Sequence, residues 1–243
     1  MIEKYNLVIA ILLTLVSSCK AQNSRENMES NTGSHYVIRE SSDCSEKSPM
    51  LILLHGHGGN ENDLFAFEEQ IPLNWIVVSV RGPYKLAENS YRWYDAKLVD
   101  GKIVINIEEE EKSRKQIVVL ISELTKKYNV DSSKVIVAGF SQGANMAQSI
   151  GLCNPNLLSG FAVFSGRYVE EVEQSISKSP NLKNLKAFIS HGKEDTMLPI
   201  RYAIENQNKL NKLGIKIEYT SDYVGHSISS KEIIAFRNWL SQM

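Results

Sequence analysis

Short runs of apolar residues alternate with longer amphipathic stretches from about residue 35 to the end of the chain. Most of the runs are continuous and β-branched, a pattern typical of parallel strands that are buried on both faces. The amphipathic stretches space their apolar residues as helices do. This order of elements predicts a single α/β domain, in which a mostly parallel central sheet carries helices on both faces. The predicted strands cover residues 50–54, 75–80, 135–138, 160–164, 185–190 and 215–220.

The clearest helical pattern covers residues 108–128, where Ile117, Ile121 and Leu124 share one face. Residues 108–111 are all glutamate and stand at the N-terminal end of this helix, where the helix dipole stabilises negative charge. We therefore interpret the acidic run as a solvated helix end rather than as a binding site. Further helices are predicted over residues 144–152, 200–213 and 229–241.

Composition excludes several classes of protein. Of the 243 residues 42% are hydrophobic, and 27 basic residues nearly balance 28 acidic ones. Disorder requires low hydrophobicity together with high net charge, so the bulk of the chain is expected to fold. A nucleic-acid-binding protein normally carries a basic excess, so no nucleic-acid partner is expected. Three cysteines are too few for a disulfide framework, and the fold must therefore depend on a hydrophobic core.

Residues 1–18 have the features of a secretory signal. Their mostly apolar run from residue 7 to 16 is shorter than the roughly 20 apolar residues that span a bilayer. The segment Leu15-Val16-Ser17-Ser18-Cys19 resembles the lipobox of bacterial lipoproteins, in which the cysteine is lipidated. An ordinary signal peptide and a buried N-terminal helix are the alternative interpretations.

The lipoprotein interpretation divides the rest of the chain into two parts. After lipidation at Cys19, residues 19–34 are polar and are expected to form a flexible tether, followed by a folded domain over residues 35–243. The protein is then expected in the cell envelope, at the periplasmic or outer-membrane face, with a membrane bound through its lipid. Cys44 and Cys153 remain in this chain, and we expect two unpaired thiols.

The strongest chemical signal is Gly139-Phe140-Ser141-Gln142-Gly143. This G-x-S-x-G pattern follows a predicted strand and precedes a predicted helix, a setting in which a sharp turn presents the serine hydroxyl above the strand ends. The flanking glycines relieve crowding, and the helix N-terminus stabilises developing negative charge. The alternative is a glycine-rich turn of a nucleotide-binding fold, but the motif contains neither G-x-G-x-x-G nor G-K-[ST]. Ser141 is therefore the candidate nucleophile.

A serine nucleophile needs a base, and only His191 and His226 follow Ser141 in the chain. His226 lies in a loop between the last predicted strand and the last predicted helix, whereas His191 ends a strand and is expected to pack there. The order serine, carboxylate, histidine is that of α/β-hydrolases. It assigns His226 as the base and Asp195 as the carboxylate that orients it.

Two other carboxylates compete with Asp195 for this role. Glu194 is its neighbour in the sequence, and Asp222 lies on the histidine's own loop. Asp195 is preferred because it follows a predicted strand by a short loop and stands just before a helix opened by Pro199.

An acyl-transfer site also needs two N–H groups that bind an oxyanion. The strand over residues 50–54 is followed by His55-Gly56-His57-Gly58-Gly59-Asn60, whose glycines allow the loop to fold back toward the serine. The expected donors are the backbone N–H groups of His57 and Gln142. The competing interpretation is a metal bound by the His-x-His pair, but no further ligand follows nearby, so no metal is expected.

Several of these segments carry a family resemblance. In chain order they are Leu54-His55-Gly56-His57-Gly58-Gly59-Asn60, Asp63-Leu64, Arg81-Gly82-Pro83, Arg92-Trp93-Tyr94-Asp95, Gly139-Phe140-Ser141-Gln142-Gly143, Asp195 and Gly225-His226.

Over about residues 49–240 the chain resembles the phospholipase/carboxylesterase family of α/β-hydrolases, which includes the acyl-protein thioesterases. The resemblance implies a serine esterase without a cofactor, in which Ser141, Asp195 and His226 form the catalytic triad. It also implies that the segment Arg92-Trp93-Tyr94 lies beside the acyl pocket. Core packing is the competing interpretation of Trp93 and Tyr94.

The length of one connection bears on the substrate. Only 20 residues, 165–184, separate the predicted strands at 160–164 and 185–190, which is too few for a large cap domain. An open site favours accessible short-acyl or aryl esters, either small molecules or esters borne on glycans. One alternative is a lysophospholipase or acyl thioesterase with the same mechanism. A non-catalytic lipoprotein that binds in the envelope is the other.

Overall fold

The structure is a computed structural model that describes residues 26–31, 33–43 and 46–243. The predicted signal peptide and both Cys19 and Cys44 lie outside these ranges. Cys153 is a free thiol. Within the same ranges, no helix is both long enough and apolar enough to cross a membrane.

The described chain forms twelve strands. They are β1 (Glu26–Glu29), β2 (His35–Arg39), β3 (Ser48–Leu54), β4 (Ile76–Val80), β5 (Tyr84–Ala87), β6 (Ser90–Arg92), β7 (Ala96–Val99), β8 (Lys102–Ile105), β9 (Val130–Phe140), β10 (Gly160–Phe164), β11 (Lys186–Gly192) and β12 (Lys216–Asp222).

Five α-helices connect or follow these strands. They are α1 (Glu61–Phe65), α2 (Ile107–Lys127), α3 (Gln142–Cys153), α4 (Arg201–Lys212) and α5 (Ser230–Leu240).

Eight of the strands form the central sheet, in the order β1-β2-β4-β3-β9-β10-β11-β12. β1 pairs with β2, and β2 with β4, in antiparallel fashion, whereas all pairs from β4 to β12 are parallel. Because the carboxyl ends of the parallel strands meet at one edge, the loops that follow β3, β9, β10, β11 and β12 gather there. The predicted mostly parallel sheet is confirmed.

Helices cover both faces of this sheet, as predicted. Ile117 of α2, Ala147 of α3 and Leu210 of α4 belong to one apolar core. Phe65 of α1 and Phe236 of α5 belong to a second core on the other face. The strands between these layers are continuously apolar because both of their faces are buried.

The N-terminal edge of the sheet differs from the prediction of a flexible tether over residues 19–34. β1 lies within that segment and pairs with β2, so that Met28 stands opposite Tyr36. Met28 packs against the core, whereas Asn27 is exposed. The strand was not predicted because four mostly polar residues show no apolar period. Antiparallel pairing uses backbone groups, which any sequence provides.

The connection after β10 contains no cap domain, as predicted. The described residues 165–184 form two 3₁₀ segments, Glu170–Ser175 and Pro180–Asn184, and no longer helix. Two antiparallel hairpins, β5–β6 and β7–β8, stand apart from the central sheet in the connection between β4 and α2. Neither hairpin was predicted, and the second of them covers part of the candidate site.

Candidate active site

Ser141 occupies a sharp turn between β9 and α3. Its backbone has φ = 53°, a conformation that costs about 1–3 kcal/mol for a residue other than glycine. The chain packs closely around this turn: a Cβ added at Gly139 would lie 2.1 Å from the Gly143 carbonyl oxygen, and one added at Gly143 would lie 2.0 Å from the Leu54 carbonyl oxygen. Both glycines of the motif are therefore required by close backbone contact.

Ser141, His226 and Asp195 form a continuous chain of hydrogen bonds. The Ser141 Oγ lies 2.9 Å from the Nε2 atom of His226. The Nδ1 atom of the same ring lies 2.7 Å from the Oδ2 atom of Asp195. An ionised carboxylate can only accept hydrogen bonds, so the Nδ1 atom of His226 must be protonated and donate the hydrogen bond to Asp195. The Nε2 atom then has a free lone pair, which can accept a hydrogen bond from the serine hydroxyl.

The Asp195 carboxylate is fixed on its far side by the backbone of its own loop. Its Oδ1 atom accepts hydrogen bonds from the N–H groups of Met197, at 2.9 Å, and Leu198, at 2.8 Å. The carboxylate is buried, and these bonds stabilise its negative charge there. The imidazole of His226 is held in turn by the Phe140 ring, whose centroid lies 4.8 Å away.

The loop that carries His226 is attached to the end of β11. The N–H of Lys193 donates to the Asp222 carbonyl oxygen at 2.8 Å, and that of Glu194 donates to the Val224 carbonyl oxygen at 3.0 Å. A Cβ added at Gly192 would lie 2.3 Å from the Val224 carbonyl oxygen, so the two loops pack in direct contact. This packing brings residues 195 and 226 together although 31 positions separate them.

Among the described residues, neither of the competing carboxylates forms an ion pair with the base. Glu194 is exposed, and Asp222 Oδ1 accepts from the N–H of Tyr223 at 2.9 Å. A hydrogen bond from Ser229, and then the bond from Tyr223, lower the pKa of Asp222. Within the described part of the chain, no hydrogen bond joins either carboxylate to His226. Of the three candidates, the structure brings only Asp195 to the histidine.

His191 packs at the strand end, as expected. Its Nε2 atom lies 2.6 Å from the Leu198 carbonyl oxygen, to which it must donate, and 3.6 Å from Asp195 Oδ2. The ring is fully buried. This histidine therefore supports the loop that holds the carboxylate and stands outside the hydrogen-bonded chain to Ser141.

The expected oxyanion donors line the same cleft as Ser141. Gln142 is the first residue of α3, so its N–H has no partner within the helix. His57 lies on the loop after β3, which approaches the serine closely: a Cβ added at Gly56 would lie 3.5 Å from the Ser141 Cβ. Within the described residues, no hydrogen bond uses the backbone N–H of either His57 or Gln142. Neither N–H group is thus engaged within the described residues, and their role as oxyanion donors stays a prediction.

His55 is fully buried, and its ring holds the start of this loop through two hydrogen bonds. The N–H of Gly82 lies 2.9 Å from its Nε2 atom, which must accept, and its Nδ1 atom donates to the Gly56 carbonyl oxygen at 2.7 Å. The neutral ring is therefore the bonded form, and both ring nitrogens are engaged by the protein. Among the described residues, no group of three or more His, Cys, Asp or Glu side chains is placed to hold a metal.

The buried ring of His55 predicts a pH dependence of stability. Burial lowers its pKa below the ordinary 6.5, so the unfolded chain binds a proton in acid that the folded protein does not. The free energy of unfolding should therefore fall by up to about 1.4 kcal/mol per pH unit below about pH 6.5. Urea unfolding at about pH 7 and at about pH 5.5 measures this change in the free energy of unfolding.

The variant His55→Gln should flatten this dependence, whereas His35→Gln, which changes an exposed histidine, should keep the wild-type slope. If the free energy of unfolding fell equally steeply with pH in the wild-type protein and in His55→Gln, groups other than His55 would be responsible for the fall.

The candidate residues face a cleft of about 310 Å³. Its lining joins the loops of the sheet edge to the hairpin β7–β8. The lining residues are His57, Tyr94, Ala96, Lys97, Leu98, Ile103, Ile105, Ser141, Gln142, Asn145, Arg167, Met197, Leu198 and His226.

The segment expected beside the acyl pocket divides between the cleft and its surroundings. Tyr94 lines the cleft. Trp93 and Tyr94 are both buried in one apolar core, as the competing interpretation of core packing expects. The Trp93 Nε1 donates to the His55 carbonyl oxygen at 2.8 Å. Arg92 is held by Asp95 and by Glu109, whose Oε1 atom is 3.6 Å away. Of these three residues, therefore, only Tyr94 lines the cleft, and it is 1% exposed.

Tyr94 is fixed by polar groups of α3. Its hydroxyl accepts from the Asn145 Nδ2 at 3.0 Å, and burial raises its pKa to about 12. The side-chain amide of Gln142 accepts from the Trp93 N–H at 2.8 Å and donates to the Tyr94 carbonyl oxygen at 2.8 Å. Gln142 was predicted only as a backbone donor, yet its side chain joins the serine turn to the wall of the cleft.

Hairpin β7–β8 is a part of the site that was missed, although the sequence carries a signal for it. Asp100-Gly101 separates the two strands, and both residues have positive φ, 49° and 75°. An Asp-Gly pair of this kind is a strong indicator of a two-residue hairpin turn.

Residues 35–243 match the sequence pattern of the phospholipase/carboxylesterase family. The chain belongs to this family. With the α/β-hydrolase fold described above, this membership makes the protein a hydrolase of the esterase type.

Individual relatives agree with the family. The putative hydrolase MhqD of Bacillus subtilis (strain 168) is 25% identical over 194 residues, which cover 79% of this chain and 92% of that protein. Acyl-protein thioesterase 1 of Mycosarcoma maydis is 28% identical over 112 residues, 44% of this chain and 46% of that protein. The carboxylesterase of Bacillus cereus has a similar structure, with a TM-score of 0.74, 25% identity and coverage of 87% of this chain and 95% of that one.

Proposed function

We propose that the protein hydrolyses carboxylic esters through an acyl-enzyme formed on Ser141. The observation that carries the proposal is the hydrogen-bonded chain from Ser141 through His226 to the buried Asp195, which opens on the cleft. A serine hydroxyl becomes nucleophilic when a neighbouring base takes its proton. In this site, the Nε2 of His226 is placed to be that base.

The reaction then has two halves. The Ser141 Oγ attacks the ester carbonyl as His226 takes its proton, and the N–H groups of His57 and Gln142 bind the resulting oxyanion. His226 next gives the proton to the departing alcohol, which leaves the acyl group on the serine. Water, activated by the same histidine, releases the acid and restores the hydroxyl. Asp195 stabilises the imidazolium in both halves.

We infer short-acyl or aryl esters as the substrates, either small molecules or groups borne on a glycan. A cleft of about 310 Å³ is at the small end of ligand pockets, which typically range over about 300–1,000 Å³. Apolar side chains of Ile103, Ile105 and Leu198 offer contacts for the acyl or aryl group. In the part of the chain that the structure describes, the connection after β10 forms no cap domain, and hairpin β7–β8 supplies one wall of the cleft.

A series of p-nitrophenyl esters from acetyl to palmitoyl tests this proposal. We expect kcat/KM to be highest for the short esters. A maximum at palmitoyl would instead favour a lysophospholipase or acyl thioesterase, a function supported by the thioesterase named among the relatives. Failure of a fluorophosphonate probe to label the protein would favour a non-catalytic binding role.

We also propose that the protein is a lipoprotein of the cell envelope, anchored through Cys19. The lipobox-like sequence before this cysteine supports the proposal. The variant Cys19→Ala should leave the membrane fraction, because each buried CH₂ of an acyl chain contributes about 0.8 kcal/mol to anchoring. Fractionation followed by immunoblotting measures this. Cys44→Ala, which changes a cysteine outside the lipobox, should stay with the membrane, and a Cys19→Ala protein that also stays would place the anchor elsewhere.

A further inference from the structure

The catalytic cleft has an unbalanced charge. Lys97 and Arg167 line it, and of the described residues no aspartate or glutamate does. Asp195 is close, but its carboxylate is buried behind His226 and already bonded on both oxygens. Arg167 is buried and Lys97 is exposed at the rim, and a neutral ester offers neither of them an anionic partner within the cleft. We propose that the preferred ester carries a carboxylate, which Arg167 and Lys97 bind; this inference rests on the proposed function and narrows its substrate class.

Arg167 is a buried residue of the cleft wall and not a surface side chain at its rim. It lies three positions beyond the end of β10, which pairs with β9 so that Phe164 stands opposite Phe140, the residue before Ser141. Its backbone N–H donates to the Asn145 Oδ1 at 2.8 Å. Only 9% of its side chain is exposed. The topology of the sheet therefore places the backbone of Arg167 near that of Ser141, and both residues line the cleft.

The partners of Arg167 engage its two Nη atoms, and among the described residues no hydrogen bond uses its Nε–H. Glu171 contacts the guanidinium at 3.2 to 3.5 Å, and the Tyr168 carbonyl oxygen accepts from it at 3.0 Å. Glu171 lines a neighbouring cavity of about 460 Å³ and not the catalytic cleft, whereas Arg167 lines both. A guanidinium has five N–H donors in a planar fork, which suits binding of a carboxylate on its other side.

Lys97 adds a second, more exposed charge at the rim. Its Nζ lies 3.6 Å from the Asp95 Oδ2, while the Oδ1 of that aspartate accepts from Arg92. The Asp95 carboxylate therefore pairs with both Lys97 and Arg92. With 76% of its side chain exposed, Lys97 is expected to attract a negatively charged substrate more than to bind it tightly.

Matched pairs of esters test the inference. On the acyl side, mono-p-nitrophenyl adipate is compared with p-nitrophenyl hexanoate, which has the same chain length and leaving group. On the alcohol side, 4-acetoxybenzoate is compared with 4-acetoxybenzamide. We expect a higher kcat/KM for the charged member of at least one pair, and the responding pair identifies the side of the ester that carries the carboxylate. Added salt should reduce the preference.

Variants assign the preference to the two cations. Arg167→Gln should lower the ratio of charged to neutral kcat/KM about tenfold, as expected for a buried charge-assisted hydrogen bond, and Arg167→Lys should restore part of it. Lys97→Gln should lower the ratio about threefold, as expected for an exposed ion pair. Lys102→Gln is the matched control: it removes the same charge from the same hairpin, but Lys102 does not line the catalytic cleft.

The outcomes separate the inference from the proposed function. If esters are hydrolysed in a Ser141-dependent way and neither pair shows a preference, the carboxylate inference is wrong and the esterase proposal stands. A preference that Lys102→Gln reduces as much as Lys97→Gln would also overturn the inference, because net charge alone would then explain it. Should Arg167→Gln fail to fold, Arg167→Lys and Lys97→Gln still decide the question. Absence of Ser141-dependent hydrolysis of any ester overturns both proposals.

Discussion

The variant Ser141→Ala is expected to lose roughly 10⁶-fold in kcat, the loss seen when a serine protease loses its nucleophile. Alanine cannot form the acyl-enzyme, and only binding and the oxyanion donors then contribute to catalysis. The fold should be unaffected, since alanine keeps the Cβ that the backbone already accommodates at φ = 53°. Initial rates on p-nitrophenyl acetate, together with thermal unfolding, measure both effects.

Ser165 provides a matched control for this experiment. It also has positive φ, 48°, and stands directly after β10, the strand next to β9, but it does not line the cleft. Ser165→Ala should keep most of the activity. Ser141→Gly should be as inactive as Ser141→Ala yet more stable, because glycine relieves strain of about 1–3 kcal/mol. Near-wild-type activity in Ser141→Ala would mean that another residue is the nucleophile.

The parallel part of the fold could be predicted because its strands are buried on both faces. A continuous apolar run such as residues 160–164 reports that burial directly, and the observed strand β10 has the same bounds. The same reasoning cannot find β1, whose residues are mostly exposed, or β7, whose four residues are all exposed. Such strands are held by backbone pairing and turn geometry, which leave little trace in the apolar pattern.

The hydrogen-bonded core of the candidate site could be located because each member follows a strand. Ser141 and Asp195 come after β9 and β11, and chain order together with sheet topology brings them near His226. The walls of the cleft were harder to predict. Trp93 and Tyr94 are neighbours in the chain and both are buried in the core, yet only Tyr94 also lines the cleft. Motif matching alone does not give the direction of a side chain.

The variant Asp195→Asn is expected to lower kcat about 10⁴-fold with little change in the fold, the loss found when an asparagine replaces the triad aspartate of a serine protease. The present carboxylate accepts a hydrogen bond from the Nδ1–H of His226, which keeps the Nε2 lone pair directed at Ser141. An amide can donate to Nδ1 instead and so favour the wrong tautomer. Its remaining oxygen can still accept from Met197 and Leu198, so the loop should hold.

Two isosteric variants distinguish this role from a general effect of charge near the site. Glu194→Gln and Asp222→Asn each remove one negative charge from the loops around His226, but in the described structure neither carboxylate is hydrogen-bonded to the histidine. Both should keep most of the activity on p-nitrophenyl acetate, because the bond from His226 to Asp195 is unchanged in them. If Asp222→Asn were the most damaging of the three, the carboxylate that orients the base would belong to the histidine's own loop. The 2.7 Å contact with Asp195 would then be a structural bond without a catalytic role.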